Sequence, residues 1–176
     1  MNKYSLDKYP SSLYLEAFNS SEVKIIPYQE EGLYRIHKGK KTKIAKENRG
    51  YTMTQLEQMR QRGIVEIYLS EHAEHGFCEI GPEDRSFEVI LEAHNGSVEK
   101  QIIENAKAII SRIAEMDTEA RDRTYNPQDN YEEELAYIVI KLDKVELHYF
   151  ATTVNTEWGV YFKKKEDNHW HYEGLG

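Results

Sequence analysis

At 176 residues, with a formal net charge of −8 and hydrophobic residues making up 39% of the chain, the sequence has the length of one domain with its own core and leaves no room for a large second one. The acidic excess argues against a protein that binds nucleic acid over its whole surface and suits a basic partner better. No run of about eighteen apolar residues occurs, and MNKYSLDKYPSSLYLEAF lacks the apolar core of a signal peptide, so a membrane span and secretion are not indicated and a cytoplasmic location is expected. Thirteen Tyr, five Phe and two Trp supply large amphipathic area that disordered chains lack, so the chain is expected to fold. Cys78 stands alone and cannot close an intramolecular disulfide, which fits a reducing compartment.

Leu13 to Phe18 and Glu22 to Tyr28 are rich in aromatic and β-branched residues and are parted by Asn19-Ser20-Ser21, which predicts two strands around a turn. Leu33 to His37 continues as a strand, and Lys38 to Gly50 reads as a basic hairpin arm or exposed loop. Thr52 and Gln55 stand at capping-box spacing, so Thr52 to Arg62 is a short helix closed by Gly63. Alternation over Ile64 to Leu69, then runs at Gly76 to Ile80 and Ser86 to Glu92, predict three strands forming a small meander. Val98 to Asp122 is expected as one long helix capped by Ser97: Ile102, Ala106, Ile109, Ile113, Met116 and Ala120 share a face, and Ile103 and Ile110 widen it.

After a connection containing Asn126-Pro127, Glu132 to Leu142 begins a C-terminal meander whose inward parity is Ala136, Ile138, Ile140 and Leu142. Asp143-Lys144 joins it to Val145–Thr152 as a tight two-residue connection. Trp158, Val160 and Phe162 alternate along a third strand, and Lys165 to Asn168 turns into His169–Glu173. The fold class that follows is α+β: antiparallel strands packed on one long amphipathic helix, with a short helix at the side. One domain spans 1–176, with a possible subdivision into a strand-rich half, 1–96, and a helix plus meander, 97–176.

His72, His75 and Cys78 lie three residues apart and would supply nitrogen and sulfur ligands for zinc, with His169 or His171 as a fourth. The segment has neither a HExxH helix nor a CxxC pair, so solvated loop histidines and a Cys78 buried as a small hydrophobe are the preferred reading, and no cofactor is expected. Lys38, Lys40, Lys41, Lys43, Lys46 and Arg49 form the one cationic cluster; nucleic-acid binding there is weighed against a solubilising strand edge, and the edge is preferred. Glu132, Glu133 and Glu134 read as a solvated charge run or an acidic docking surface. Tyr149, Phe150, Trp158, Tyr161, Phe162, Trp170 and Tyr172 crowd the meander, and alternation forbids a single core for all of them. The candidate binding residues are therefore Tyr149, Trp158, Tyr161, Trp170, Tyr172, Glu132 and Glu133, against cover by the N-terminal strands or a second copy.

The segment VELHYFATTVNTEWGVYFKKKEDNHWHYEG, with Asn155 and Trp158 between two strands and an Ile-rich helix ending in AEMDTEARD before it, resembles bacterial domains of unknown function. Such small acidic domains are similar to immunity proteins of polymorphic toxin systems. The resemblance covers the helix and the final meander and carries no catalytic residues. It implies a non-enzymatic, protein-binding role with a partner such as a basic toxin, the alternatives being a metal-dependent protein using His72, His75 and Cys78 and a nucleic-acid binder using Lys38 to Arg49.

Overall fold

The structure, a computed structural model, describes residues 10–19, 22–26, 34–37, 40–43, 53–68, 76–80, 87–94, 97–124 and 133–176. Pro10–Phe18 is a 3₁₀ helix, not the strand expected from its composition. Pro10 pre-sets φ for a helical start, and Leu15 and Phe18, one 3₁₀ turn apart, are both fully buried, so the three-residue period overrides β propensity. Strand β1 (Glu22–Ile26) follows, then the hairpin β2 (Tyr34–His37) and β3 (Lys40–Lys43), helix α1 (Met53–Arg62) and strand β4 (Ile64–Tyr68). Gly63 ends α1 at φ +68°, the left-handed value that glycine adopts without a Cβ clash.

The predicted meander of three strands does not form. β4 pairs in parallel with β1, while β5 (Gly76–Ile80) pairs antiparallel with β6 (Phe87–Leu91). A two-residue hairpin, β7 (Ala93–His94) with β8 (Ser97–Val98), then occupies the place expected for a Ser97 cap. Glu99 takes the N-cap position instead, its carbonyl accepting from the Ile102 and Ile103 N–H groups.

The long helix is two helices, α2 (Lys100–Ile110) and α3 (Ile113–Thr124). At the junction the Arg112 N–H bonds to the Ile109 carbonyl, three residues back, and the Ser111 hydroxyl donates to the Ala108 carbonyl at 3.0 Å. Serine competing for a backbone acceptor tightens that turn. The apolar stripe nevertheless keeps its phase across the break: Ile102, Ala106, Ile109, Ile113, Met116 and Ala120 are all buried.

Strands β9 (Glu134–Ile140), β10 (Lys144–Ala151), β11 (Thr156–Lys164) and β12 (Trp170–Leu175) form the predicted meander. They continue the sheet begun by β5 and β6, so strands from both halves of the chain share one six-stranded sheet in the order β12-β11-β10-β9-β6-β5. All its pairings are antiparallel except β6 with β9, which are parallel and joined across α2 and α3. The fold is α+β. One face of the sheet presents Val89, Leu91, Ile138, Ile140, Val145, Leu147, Val160 and Phe162 to the core shared with α2, α3 and the 3₁₀ helix. Each such side chain removed from water contributes about 1.5–3 kcal/mol.

Two irregularities reset the expected parity. Tyr137 faces His148 but Leu135 faces Tyr149, so Ala136 is an extra residue in β9, and below it Leu135, not Ala136, turns inward. The β9–β10 loop is Leu142-Asp143, one residue earlier than predicted, closed by the Lys141 N–H on the Lys144 carbonyl; Leu142 at the turn is 39% exposed. Among the described residues no helix is long and apolar enough to cross a membrane.

Candidate functional site

Strand β10 reads Lys-Val-Glu-Leu-His-Tyr-Phe-Ala, and its alternation sends Val145, Leu147, Tyr149 and Ala151 into the core. Lys144, Glu146, His148 and Phe150 are therefore on the opposite, outer face, half-buried among neighbours from β9 and β11. Residues directly opposite one another share a face, so Tyr137 and Val139 of β9 and Glu157, Gly159 and Tyr161 of β11 join them.

His148 is held on every side. Its ring stacks on Tyr137, centroids 4.2 Å apart and planes 11° from parallel. The next strand presents Gly159, where a Cβ would lie 3.0 Å from His148 Cε1. Nε2 lies 3.2 Å from Glu146 Oε2 and Nδ1 lies 3.6 Å from Glu157 Oε1. The Tyr137 hydroxyl donates to that same Glu157 oxygen at 2.6 Å. Burial, then the hydrogen bond to Glu157, pushes the Tyr137 phenol up to about 12.

Glu146 also receives Lys141 Nζ at 3.0 Å and Lys144 Nζ at 3.1 Å. Burial works toward protonation of this carboxyl, but the hydrogen bonds from Lys141, Lys144 and His148 outweigh it and bring the group down to about 2. Lys144 Nζ further sits 3.7 Å from the centroid of the Tyr161 ring. The outer face is thus a fixed surface of aromatic rings and ion pairs carried on paired strands.

On the inner side, a second polar network ties α3 to the sheet. Asp117 accepts Arg121 Nε at 3.1 Å on each carboxylate oxygen and the Tyr149 hydroxyl at 2.8 Å. Arg121 Nη1 donates to the Glu133 carbonyl at 3.0 Å and approaches its carboxylate at 3.4 Å. Asp117 is 0% and Arg121 3% exposed, so the network is closed to ligands and its work is structural. Burial, then the Asp117 charge, drives the Tyr149 phenol well above its ordinary value.

The residues expected to bind a partner are divided by these two faces. Tyr149 and Trp170 lie in the core, 1% and 9% exposed. Trp158 stacks on Tyr149 at 5.9 Å, and Tyr172 meets Phe162 edge-on at 6.0 Å, both against the core. Tyr161 is on the outer face, and Glu133 is spent on Arg121. Glu132, His72 and His75 lie outside the described residues, as do Lys38, Lys46 and Arg49; Lys40, Lys41 and Lys43 belong to β3. Cys78 stands opposite Val89 in the β5–β6 register. His171 pairs with Asp167 at 3.1 Å and the His169 N–H donates to the same carboxylate at 2.9 Å, across the β11–β12 turn. Among the described residues no group of three or more His, Cys, Asp or Glu is placed to hold a metal ion.

Sequence reasoning missed Tyr137, Glu146, His148 and Glu157. The alternation of β10 already placed Glu146 and His148 on one face, and pairing through the β9–β10 and β10–β11 hairpins would have supplied Tyr137 and Glu157. The chain matches no protein-family model, no curated protein and no solved structure.

Proposed function

We propose that this chain is a cytoplasmic, non-enzymatic protein-binding domain of bacterial immunity type, which contacts a basic protein such as a toxin through the outer face of its sheet. The observation that carries the reading is the prearranged outer face, where Tyr137, His148 and Tyr161 are held by stacking, hydrogen bonds and a cation–π contact before any partner arrives. Tyrosine and other aromatic anchors on rigid strands give contact area at small entropic cost, and the net charge of −8 steers a cationic partner inward.

The test is affinity capture followed by reconstitution. A partner recovered with the wild-type chain should bind the purified protein at fixed stoichiometry, lose binding with Tyr137→Ala and Tyr161→Ala, and, if it is a toxin, lose its activity in the complex. A partner whose binding ignores both substitutions, or no stoichiometric protein partner in the native host, refutes the proposal.

A further inference from the structure

We infer that the outer-face row formed by Glu134, Phe150 and Glu157 docks an arginine side chain of the protein partner. The inference rests on the outer face being the contact surface, as proposed above, and adds the chemistry that the surface recognises. Phe150 pairs directly with Glu134 on one side and with Glu157 on the other, so the three side chains stand in line across β9, β10 and β11 on one face. With strands about 4.8 Å apart, the two flanking Cα atoms are about 10 Å apart, a span that a guanidinium lying over the Phe150 ring can bridge.

The two ends of this face differ in charge compensation. Glu146 is already satisfied by Lys141 and Lys144, whereas Glu157 faces only His148 Nδ1 at 3.6 Å, and among the described residues no lysine or arginine pairs with it or with Glu134. Glu134 is exposed, and Glu157 is 50% exposed with Oε1 held by the Tyr137 hydroxyl. That hydrogen bond fixes the carboxylate in advance, which lowers the ordering cost of an incoming donor. The following turn, Thr152–Asn155, adds no cation and exposes Val154, an apolar contact for the rest of a docked segment. A planar, weakly hydrated guanidinium suits a ring flanked by carboxylates better than a compact ammonium does.

The experiment titrates the ¹⁵N-labelled full chain with capped tri-arginine, tri-lysine and tri-citrulline peptides. Tri-arginine should give saturable amide shifts concentrated at Glu134, Phe150 and Glu157, tri-lysine weaker ones, and the uncharged citrulline peptide none. Glu134→Gln and Glu157→Gln should each weaken tri-arginine binding about two- to fivefold and together about tenfold, as exposed ion pairs do. Tri-lysine binding as well as tri-arginine, shifts spread over other carboxylates, indifference to both substitutions, or a dimer of the chain occupying the row would each overturn the inference. A captured partner sensitive to Tyr161→Ala but not to the two glutamate variants would refute the arginine row alone. One insensitive to all outer-face variants would refute the binding face itself.

Discussion

The buried Asp117–Arg121–Tyr149 network gives the most demanding test of how the inner layer is held. Replacing Arg121 by Met keeps most of the side-chain volume but leaves the fully buried Asp117 with only the Tyr149 hydroxyl at 2.8 Å. At an effective dielectric of about 20, two unit charges about 4 Å apart attract by about 4 kcal/mol. Stranding one member of a buried pair costs about 3–5 kcal/mol by mutational precedent, in agreement. With a urea m-value of about 2 kcal/mol/M, Arg121→Met should lower the unfolding midpoint by about 2 M. Removing the other charge as well, in Asp117→Leu/Arg121→Met, should recover most of that loss, short of about 1–3 kcal/mol for the Tyr149 hydroxyl then left without an acceptor. Adding Tyr149→Phe should recover the hydroxyl's share, leaving only the loss at the Glu133 carbonyl, which Arg121 Nη1 donates to at 3.0 Å in the wild type. Tryptophan fluorescence reports the transition directly, because Trp158 stacks on Tyr149. A midpoint shift below about 0.5 M for Arg121→Met, or a double variant no more stable than the single one, would refute the assignment of this network as a charge-balanced tie.

Other positions test the outer face and the turn beneath it. Glu146 titrates at about 2 in the fold against an ordinary 4.5, so its contribution is present above pH 4.5 and is lost as pH falls through about 2. Glu146→Gln should flatten the stability profile in that window, measured by urea unfolding at several acid pH values. Gly159→Ala places a methyl 3.0 Å from His148 Cε1, so the ring must shift by a few tenths of an ångström against Tyr137; the expected cost is about 1–3 kcal/mol, and a changed ring-current shift on the His148 ring protons checks the cause. Asn105 donates to the Lys141 and Leu142 carbonyls at 3.0 and 2.8 Å, so Asn105→Ala should cost about 1–3 kcal/mol in thermal or urea unfolding and raise hydrogen exchange around the β9–β10 turn.

Elements whose local pattern agreed with their packing were legible in the sequence. Alternation placed β10 and β11, the capping spacing and Gly63 placed α1, and the isoleucine stripe placed the buried face of α2 and α3. The errors came where pattern and packing diverge. Tyr14, Leu15 and Phe18 have strand composition but helical spacing, and aromatic content alone does not separate the two. The pairing of β4 with β1, and of β6 with β9, joins segments far apart in the chain, and no local signal records a non-local partner. The outer-face site was hidden for a different reason: Tyr137, His148 and Glu157 lie on consecutive hairpin strands but meet only in the exact register, which the β9–β10 turn, one residue earlier than expected, sets. The Asp117–Arg121 spacing of four was visible, but whether such a pair is a solvated helix contact or a buried tie depends on what packs over it.

Register also shows how one irregularity serves both faces of the sheet. Without the bulge at Ala136, the β9–β10 ladder would continue with Ala136 opposite Tyr149 and Leu135 opposite Phe150, turning Leu135 outward and Glu134 inward. The bulge reverses both: Leu135 enters the core beside Tyr149, and Glu134 comes out beside Phe150, opposite Glu157. A regular strand would have buried a carboxylate and exposed a leucine, each unfavourable. The same residue therefore completes the apolar layer under α3 and aligns the two carboxylates that flank Phe150. The aromatic meander accordingly has two jobs on two faces. Tyr149, Phe162 and Trp170 close the core, and Tyr137, Phe150 and Tyr161 build the surface on which the proposed recognition depends.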